Sequence, residues 1–215
     1  MNVCSTDASY PTVSVVVCSL LDVALQSGVF FCYDAGSGLR EIEGRCSLYL
    51  AMKIYLLRHA HALTSYPDAE RILSDEGRRN VTNLGSFLCR KESFQPKQVW
   101  TSPLVRAQET ANILHQSLQP ALNGPWTENC NDLLEPERDP FSLIELLSEV
   151  RQDVLLVGHN PNLEILFSLL VSGERHRARI YLKTCVLVCL EWLPWPDRQQ
   201  SGSCVVRWVF DPRLL

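Results

Sequence analysis

The sequence predicts a three-layer α/β/α sandwich around a mostly parallel central sheet, on three observations. From Met52 onward, short apolar runs alternate with segments whose apolar residues recur at threes and fours. Pro, Gly, Ser and Asn punctuate the joints between them. The 215 residues, 46% of them hydrophobic, suffice for one domain with a substantial core and little beyond it.

Lys53 to Leu57 reads as the first strand. Asp75 to Lys91 reads as a helix, with Val81, Leu84, Phe87 and Leu88 on one face and Ser74 as its N-cap. Gln98 to Thr101 is a second strand. Ser102-Pro103 then supplies a cap and a proline at the first helical position, opening a helix in which Leu104, Ala107, Ala111, Leu114 and Leu118 share a face. Asp139-Pro140 opens a helix through Val150, Asp153 to Val157 is an apolar strand, and Asn160-Pro161 begins a helix rich in Leu, Ile and Phe. Thr184 to Trp192 and Val205 to Phe210 close the chain as strands, with Pro194, Pro196 and Gly202 marking the turn region between them.

Residues 1–51 read differently. Val13 to Leu21 and Val29 to Phe31 are apolar, but no βα pattern develops. A secretory signal would carry a basic start, and residues 1–11 hold no Lys or Arg. Asp22 and Gln26 interrupt what a membrane span would require. The expectation is an N-terminal extension over 1–51, disordered or foreign to the native product, before a domain over 52–215 that starts at the second methionine, Met52. The rival expectation is a short extension packed on the domain surface.

A formal charge of -4 gives no electrostatic reason to expect nucleic acid, whose binding rests on clustered Lys and Arg. The nine cysteines include no C-x-x-C pair of the kind that closes a zinc site, so most are expected to be reduced core residues of a cytoplasmic protein. Cys4, Cys18, Cys32 and Cys46 recur every fourteen residues with no other repeat at that period, and no fold follows from it.

Open α/β sheets bind ligands at the carboxyl ends of their strands. After the first strand stand Arg58 and His59; after the second, Thr101, Ser102 and, a helical turn in, Arg106; after the Asp153 strand, Gly158, His159 and Asn160. Two arginines and two histidines on one edge suit a phosphoryl dianion. Guanidinium is always charged and forks onto two oxygens, while histidine attacks or donates near neutral pH. Helix N-termini after Ser102 and Asn160 add N–H groups there. Such a site requires no metal and no cofactor.

Leu56-Leu57-Arg58-His59-Ala60 resembles the R-H-G signature of the histidine phosphatase superfamily, which includes the cofactor-dependent phosphoglycerate mutases. Thr101 to Ala111 is similar to its S-x-x-x-R-A-x-x-T-A block, and Val157-Gly158-His159-Asn160-Pro161 to the block with its second histidine. The resemblance implies a phosphoglycerate mutase-like fold, His59 as the phosphorylated nucleophile, and a phosphate pocket of Arg58, Arg106 and His159, with Asn160 as a further phosphate-binding residue. Leu73-Ser74-Asp75-Glu76-Gly77, the G-H-N-P block and Trp208 to Arg213 look like the bacterial phosphohistidine phosphatases of the SixA type. That implies a phosphatase acting on protein phosphohistidine.

Two positions depart from the pattern. Ala60 replaces the usual glycine, and His61 replaces the usual acidic residue, making an H-x-H pair with His59. Such a pair also opens the metal site of an amidohydrolase barrel, but that fold runs to about 250 residues and its later ligands are not evident. Glu135, in Leu133-Leu134-Glu135-Pro136, stands where the mutase-like branch carries a glutamate. The alternative function is therefore a small phosphomonoester hydrolase with Glu135 as general acid. A non-catalytic phosphate-binding module would need a defective nucleophile or clamp. Arg175, His176, Arg177 and Arg179 fall in a loop before a strand, read as solvated or, alternatively, as meeting an acidic partner.

Overall fold

The computed structural model describes residues 30–34, 38–42, 52–90, 94–192 and 202–214. The chain divides into two units, Met1–Leu48 and Tyr49–Leu215. In the first, β1 (Phe30–Asp34) pairs antiparallel with β2 (Gly38–Ile42), Phe30 opposite Ile42 and Asp34 opposite Gly38. The expectation of an extension over 1–51 falls mostly on residues outside the described ones, including Val13 to Leu21.

The second unit alternates strand and helix: β3 (Met52–Arg58), α1 (Asp75–Leu88), β4 (Gln98–Thr101), α2 (Val105–Leu118), β5 (Thr127–Cys130), α3 (Phe141–Glu149), β6 (Val154–Gly158), α4 (Asn162–Ser172), then β7 (Leu187–Trp192) and β8 (Cys204–Phe210). Six strands form one sheet in the order β5-β4-β6-β3-β7-β8. The first four run parallel; β7 is antiparallel to β3, and β8 to β7.

Side-chain alternation along the central strands separates two cores. Ile54 and Leu56 of β3, with Val154 and Leu156 of β6, pack with Leu143, Ile144 and Leu147 of α3 and Leu163, Leu166 and Leu170 of α4. Tyr55 and Leu57, with Leu155 and Val157, pack with Val81, Leu84 and Leu88 of α1 and Ala107, Ala111, Leu114 and Leu118 of α2. This is the three-layer sandwich with helices on both faces. Each fully buried Leu contributes about 1.5–3 kcal/mol, so truncating one side chain in either core threatens the domain.

Several boundaries differ from expectation for local reasons. Ser74 does cap α1, its Oγ accepting the Gly77 N–H at 3.1 Å. The helix stops at Leu88 rather than Lys91. Ser102 does not cap α2: the helix begins at Val105 with Leu104 as N-cap, Pro103 lies outside it, and Ser102 Oγ is turned to His159 instead. Pro140 and Pro161 are themselves the N-cap residues of α3 and α4. β7 begins at Leu187 rather than Thr184, because Cys185 adopts φ 64, a left-handed backbone that cannot continue a strand. β5 was not expected: all four of its residues are exposed, so it carries no apolar pattern. The turn region at Pro194 and Pro196 lies outside the described residues. Among the described residues, no helix is long and apolar enough to cross a membrane.

Candidate active site

Sheet register brings the site together. Arg58 of β3 is level with Gly158 of β6, and Thr101 of β4 is level with Val157. The residues that follow these, His59, His159 and Ser102, therefore leave the sheet at one edge. They are tied there by His59 N–H to Gly158 O at 3.0 Å and Ser102 N–H to Val157 O at 3.0 Å. A cavity of about 300 Å³ opens at that edge, lined by Arg58, His59, Arg106, His159 and Asn160. His61, Ala62, Thr64, Arg71, Pro136 and Thr184 complete its wall.

His59 is 8% exposed. Its Nδ1 lies 2.7 Å from the Ala60 carbonyl oxygen. A carbonyl can only accept, so Nδ1 carries the proton and Nε2 keeps its lone pair. Burial, reinforced by the nearby arginines and opposed by the Ala60 bond, pushes the His59 pKa down to about 4. The ring is thus neutral at pH 7, with a free nucleophilic nitrogen.

The His159 ring stands 4.8 Å from that of His59. Burial first, then the neighbouring His59 and the arginines, lower its pKa to about 3. Its Nε2 is 2.9 Å from Ser102 Oγ, a fully buried hydroxyl. Ser102 Oγ also receives a long 3.4 Å contact from the Leu104 N–H. Its own proton is then free for His159 Nε2, which leaves the other ring nitrogen, Nδ1, as a donor.

Arg58 donates from Nη1 to Leu182 O at 2.7 Å, and burial lowers its pKa from the ordinary guanidinium value. Arg106, only 4% exposed, donates from Nη1 to Asp68 O at 2.8 Å and from Nη2 to Asp68 Oδ2 at 3.0 Å. Asp68 Oδ1 accepts from Arg71 Nη1 at 3.0 Å, so one carboxylate bridges two cavity-lining arginines. The Arg71 hydrogen bond first, and then Arg106, lower the Asp68 pKa. Of six buried side-chain N and O atoms without a partner among the described residues, four belong to the cavity: Arg58 Nε, Arg106 Nε, His159 Nδ1 and Asn160 Oδ1. Buried polar atoms are otherwise almost always paired, so this concentration marks a place built for a polar ligand.

Neighbouring residues hold these groups. Thr110, one turn after Arg106 on α2, donates to Arg106 O at 2.7 Å and accepts the Ala60 N–H at 3.1 Å, locking the turn after His59 to the helix. Glu109 accepts the Leu73 N–H at 2.6 Å and an Arg78 N–H at 2.7 Å. Ala60 fits in place of glycine because it is not among the residues with positive φ. Gly77, by contrast, is required: a Cβ there would overlap the His61 carbonyl oxygen. Asn160 Nδ2 bridges Glu164 Oε1 at 2.7 Å and Leu182 O at 2.9 Å.

Glu135 is not brought into the cavity wall, which Pro136 forms instead; its carboxylate pairs with Arg138 at 3.4 Å. Asn162 holds this loop by donating to Leu133 O and Arg138 O at 3.1 and 2.8 Å. His61 lines the cavity, but its Nδ1 is 2.8 Å from Ser74 Oγ. No group of three or more His, Cys, Asp or Glu suited to a metal occurs among the described residues.

Sequence reasoning missed Arg71 and Asp68, which sit at the ends of a single 3-10 turn, Asp68–Glu70, too short to leave a periodicity. It also missed the second role of Ser102 and the supports Thr110 and Asn162. Thr110 lies inside the R-A-x-x-T block, four residues from Arg106 and so on the same helical face, a signal that could have found it.

Residues 54–131 match the family model of the histidine phosphatase superfamily, branch 1. No curated protein matches the chain with significance. Among solved structures the chain is similar to the protein histidine phosphatase SixA complexed with tungstate, at 22% identity and TM-score 0.61, covering 76% of this chain and 99% of that one. A putative SixA from Agrobacterium tumefaciens gives 21% and 0.57, covering 74% and 97%. A putative alpha-ribazole-5'-P phosphatase from Escherichia coli gives 15% and 0.52, covering 73% and 95%. By sequence, residues 54–131 are similar to the histidine phosphatase superfamily, and by fold the second unit is similar to phosphatases of solved structure. The likeness to SixA phosphohistidine phosphatases, at these identities, is one of fold and not of substrate.

Proposed function

We propose that the protein transfers a phosphoryl group onto His59 Nε2 and then to water, with protein phosphohistidine as the donor. The observation that carries this reading is the state of His59: a neutral ring whose Nδ1 proton is committed to the Ala60 carbonyl, with Nε2 beside buried, partnerless donors.

Attack forms an Nε2–P bond as the donor's P–N bond breaks. The departing imidazole leaves neutral if its other nitrogen already holds a proton. His59 becomes cationic as it takes the phosphoryl group, and the Nδ1–H bond to Ala60 O stabilises that charge. Arg58 and Arg106 neutralise the oxygens of the transferring group and the neutral His159 Nδ1–H donates a hydrogen bond to them, so catalysis is chiefly positioning and electrostatic stabilisation. Water then attacks phosphorus, the Nε2–P bond breaks, inorganic phosphate departs with the water's oxygen, and the neutral ring returns.

A phosphomonoester needs a general acid for its alkoxide, and Glu135 is the candidate. Its pairing with Arg138, with Pro136 on the cavity wall, favours the donor whose leaving group needs no such help. Glu135→Gln separates the two readings. The phosphohistidine reading expects an unchanged rate on a phosphohistidine carrier protein, with any loss confined to alkyl phosphates over p-nitrophenyl phosphate. A large loss on phosphohistidine itself would contradict it.

A further inference from the structure

Residues 179–183, between α4 and β7, form neither helix nor strand and alternate in exposure. Arg179, Tyr181 and Lys183 face solvent, while Leu182 is fully buried and Ile180 half-buried. The segment is anchored to the candidate site from beneath. The Leu182 carbonyl accepts from Arg58 and Asn160, and its amide donates to Glu164 Oε1 at 3.0 Å. Two residues on, Thr184 lines the cavity. Tyr181, next to Leu182 in sequence, is 76% exposed.

The charges on this segment are of two kinds. Arg175 pairs with Asp139 at 2.7 Å and lies over the Phe141 ring, and Arg177 pairs with Glu174. The side chains of Arg179 and Lys183 make no hydrogen bond or ion pair among the described residues, although the Lys183 charge, after the Arg213 bonds, helps lower the Asp211 pKa. The whole chain carries -4, yet residues 174–183 hold four cations against the single Glu174. A second cavity-lining segment, 62–73, exposes Tyr66 at 96%. Exposed aromatic rings beside exposed cations are what docking surfaces for proteins are made of, whereas small-molecule sites enclose their ligand.

We infer that Arg179, Tyr181 and Lys183 form a docking rim for a protein segment rich in Asp and Glu around its phosphorylated residue. The inference rests on the phosphatase reading above and deepens it by giving the chemistry of the partner. Rim charges act mainly on encounter rate and salt dependence, and neither cation is held in an ion pair within 4.0 Å among the described residues.

The test compares wild type with Arg179→Glu/Lys183→Glu on two chemically phosphorylated histidine peptides, one flanked by Asp and Glu and one by Lys and Arg, and on p-nitrophenyl phosphate. The wild type should favour the acidic peptide in kcat/KM by about tenfold, and added salt should erode that preference. The double variant should lose or invert the preference with p-nitrophenyl phosphate kinetics unchanged. Arg179→Gln/Lys183→Gln, a milder change, should lose part of it. Equal rates on both peptides in the wild type, a preference surviving in the variants, or an equal loss on p-nitrophenyl phosphate overturns the rim and leaves the phosphatase reading intact. No turnover of any of the three by wild type, or full turnover by His59→Ala, overturns the phosphatase reading and the rim with it.

Discussion

Ser102→Ala probes a hydroxyl that does not line the cavity but sets the state of a ring that does. Ser102 Oγ and His159 Nε2 are 2.9 Å apart, with Ser102 fully buried and His159 2% exposed. Deleting the hydroxyl leaves a buried ring nitrogen unpaired, which costs about 1–3 kcal/mol of folding stability. It also frees His159 to move its proton to Nε2, turning Nδ1 from donor to acceptor towards an anionic group. The ring and its packing remain, so the catalytic loss should be smaller than the roughly 2.7–4 kcal/mol of a deleted donor. We expect kcat to fall about ten- to a hundredfold. The assay is steady-state hydrolysis of p-nitrophenyl phosphate alongside urea denaturation, for Ser102→Ala, His159→Ala and the double variant. If Ser102 acts through His159, the double variant is little slower than His159→Ala alone. A folded Ser102→Ala within twofold of wild type, or fully additive losses, would refute the reasoning.

Two further outcomes follow from the geometry. Gly77→Ala should destabilise the domain by about 1–3 kcal/mol, although alanine favours helix, because its methyl meets the His61 carbonyl; a stabilised variant in urea denaturation would contradict this. Stability should also fall on acidification. Folding depresses the pKa of His59 to about 4 and of His159 to about 3, so the unfolded chain binds protons the folded one refuses. Their contribution is complete above about pH 6.5 and is lost as pH falls towards 4, with His59 alone accounting for about 3 kcal/mol. The urea midpoint of wild type should drop more than that of His59→Ala between about pH 7.5 and about pH 4.5, which spans most of this window; equal drops would contradict the buried neutral ring.

The parts of this fold legible in the sequence are those whose burial leaves a period. β3, β6 and β7 are nearly continuous apolar runs because both faces of the sheet are covered, and α1 carries its cap in Ser74. The exposed edge strand β5 leaves no such trace. Residue types told which groups stand at the strand ends, and the aligned registers of β3, β4 and β6 explain why they meet. They did not tell that Asp68 would bridge Arg71 and Arg106, because that pairing depends on the path of the connection that carries the short 3-10 turn Asp68–Glu70 to α2. Nor did they separate the two functions open to Ser102, since a serine before a proline serves equally as a helix cap or as the partner of a histidine.

The account stands on His59 Nε2 taking the phosphoryl group. Rapid quenching of the enzyme with a phosphorylated substrate into base, followed by peptide mass spectrometry, examines that bond directly. One phosphoryl group on the peptide containing His59, stable in base, lost in acid and absent from His59→Ala, is the predicted result. Phosphoryl on another residue, or a His59→Ala protein that turns over normally, would contradict it.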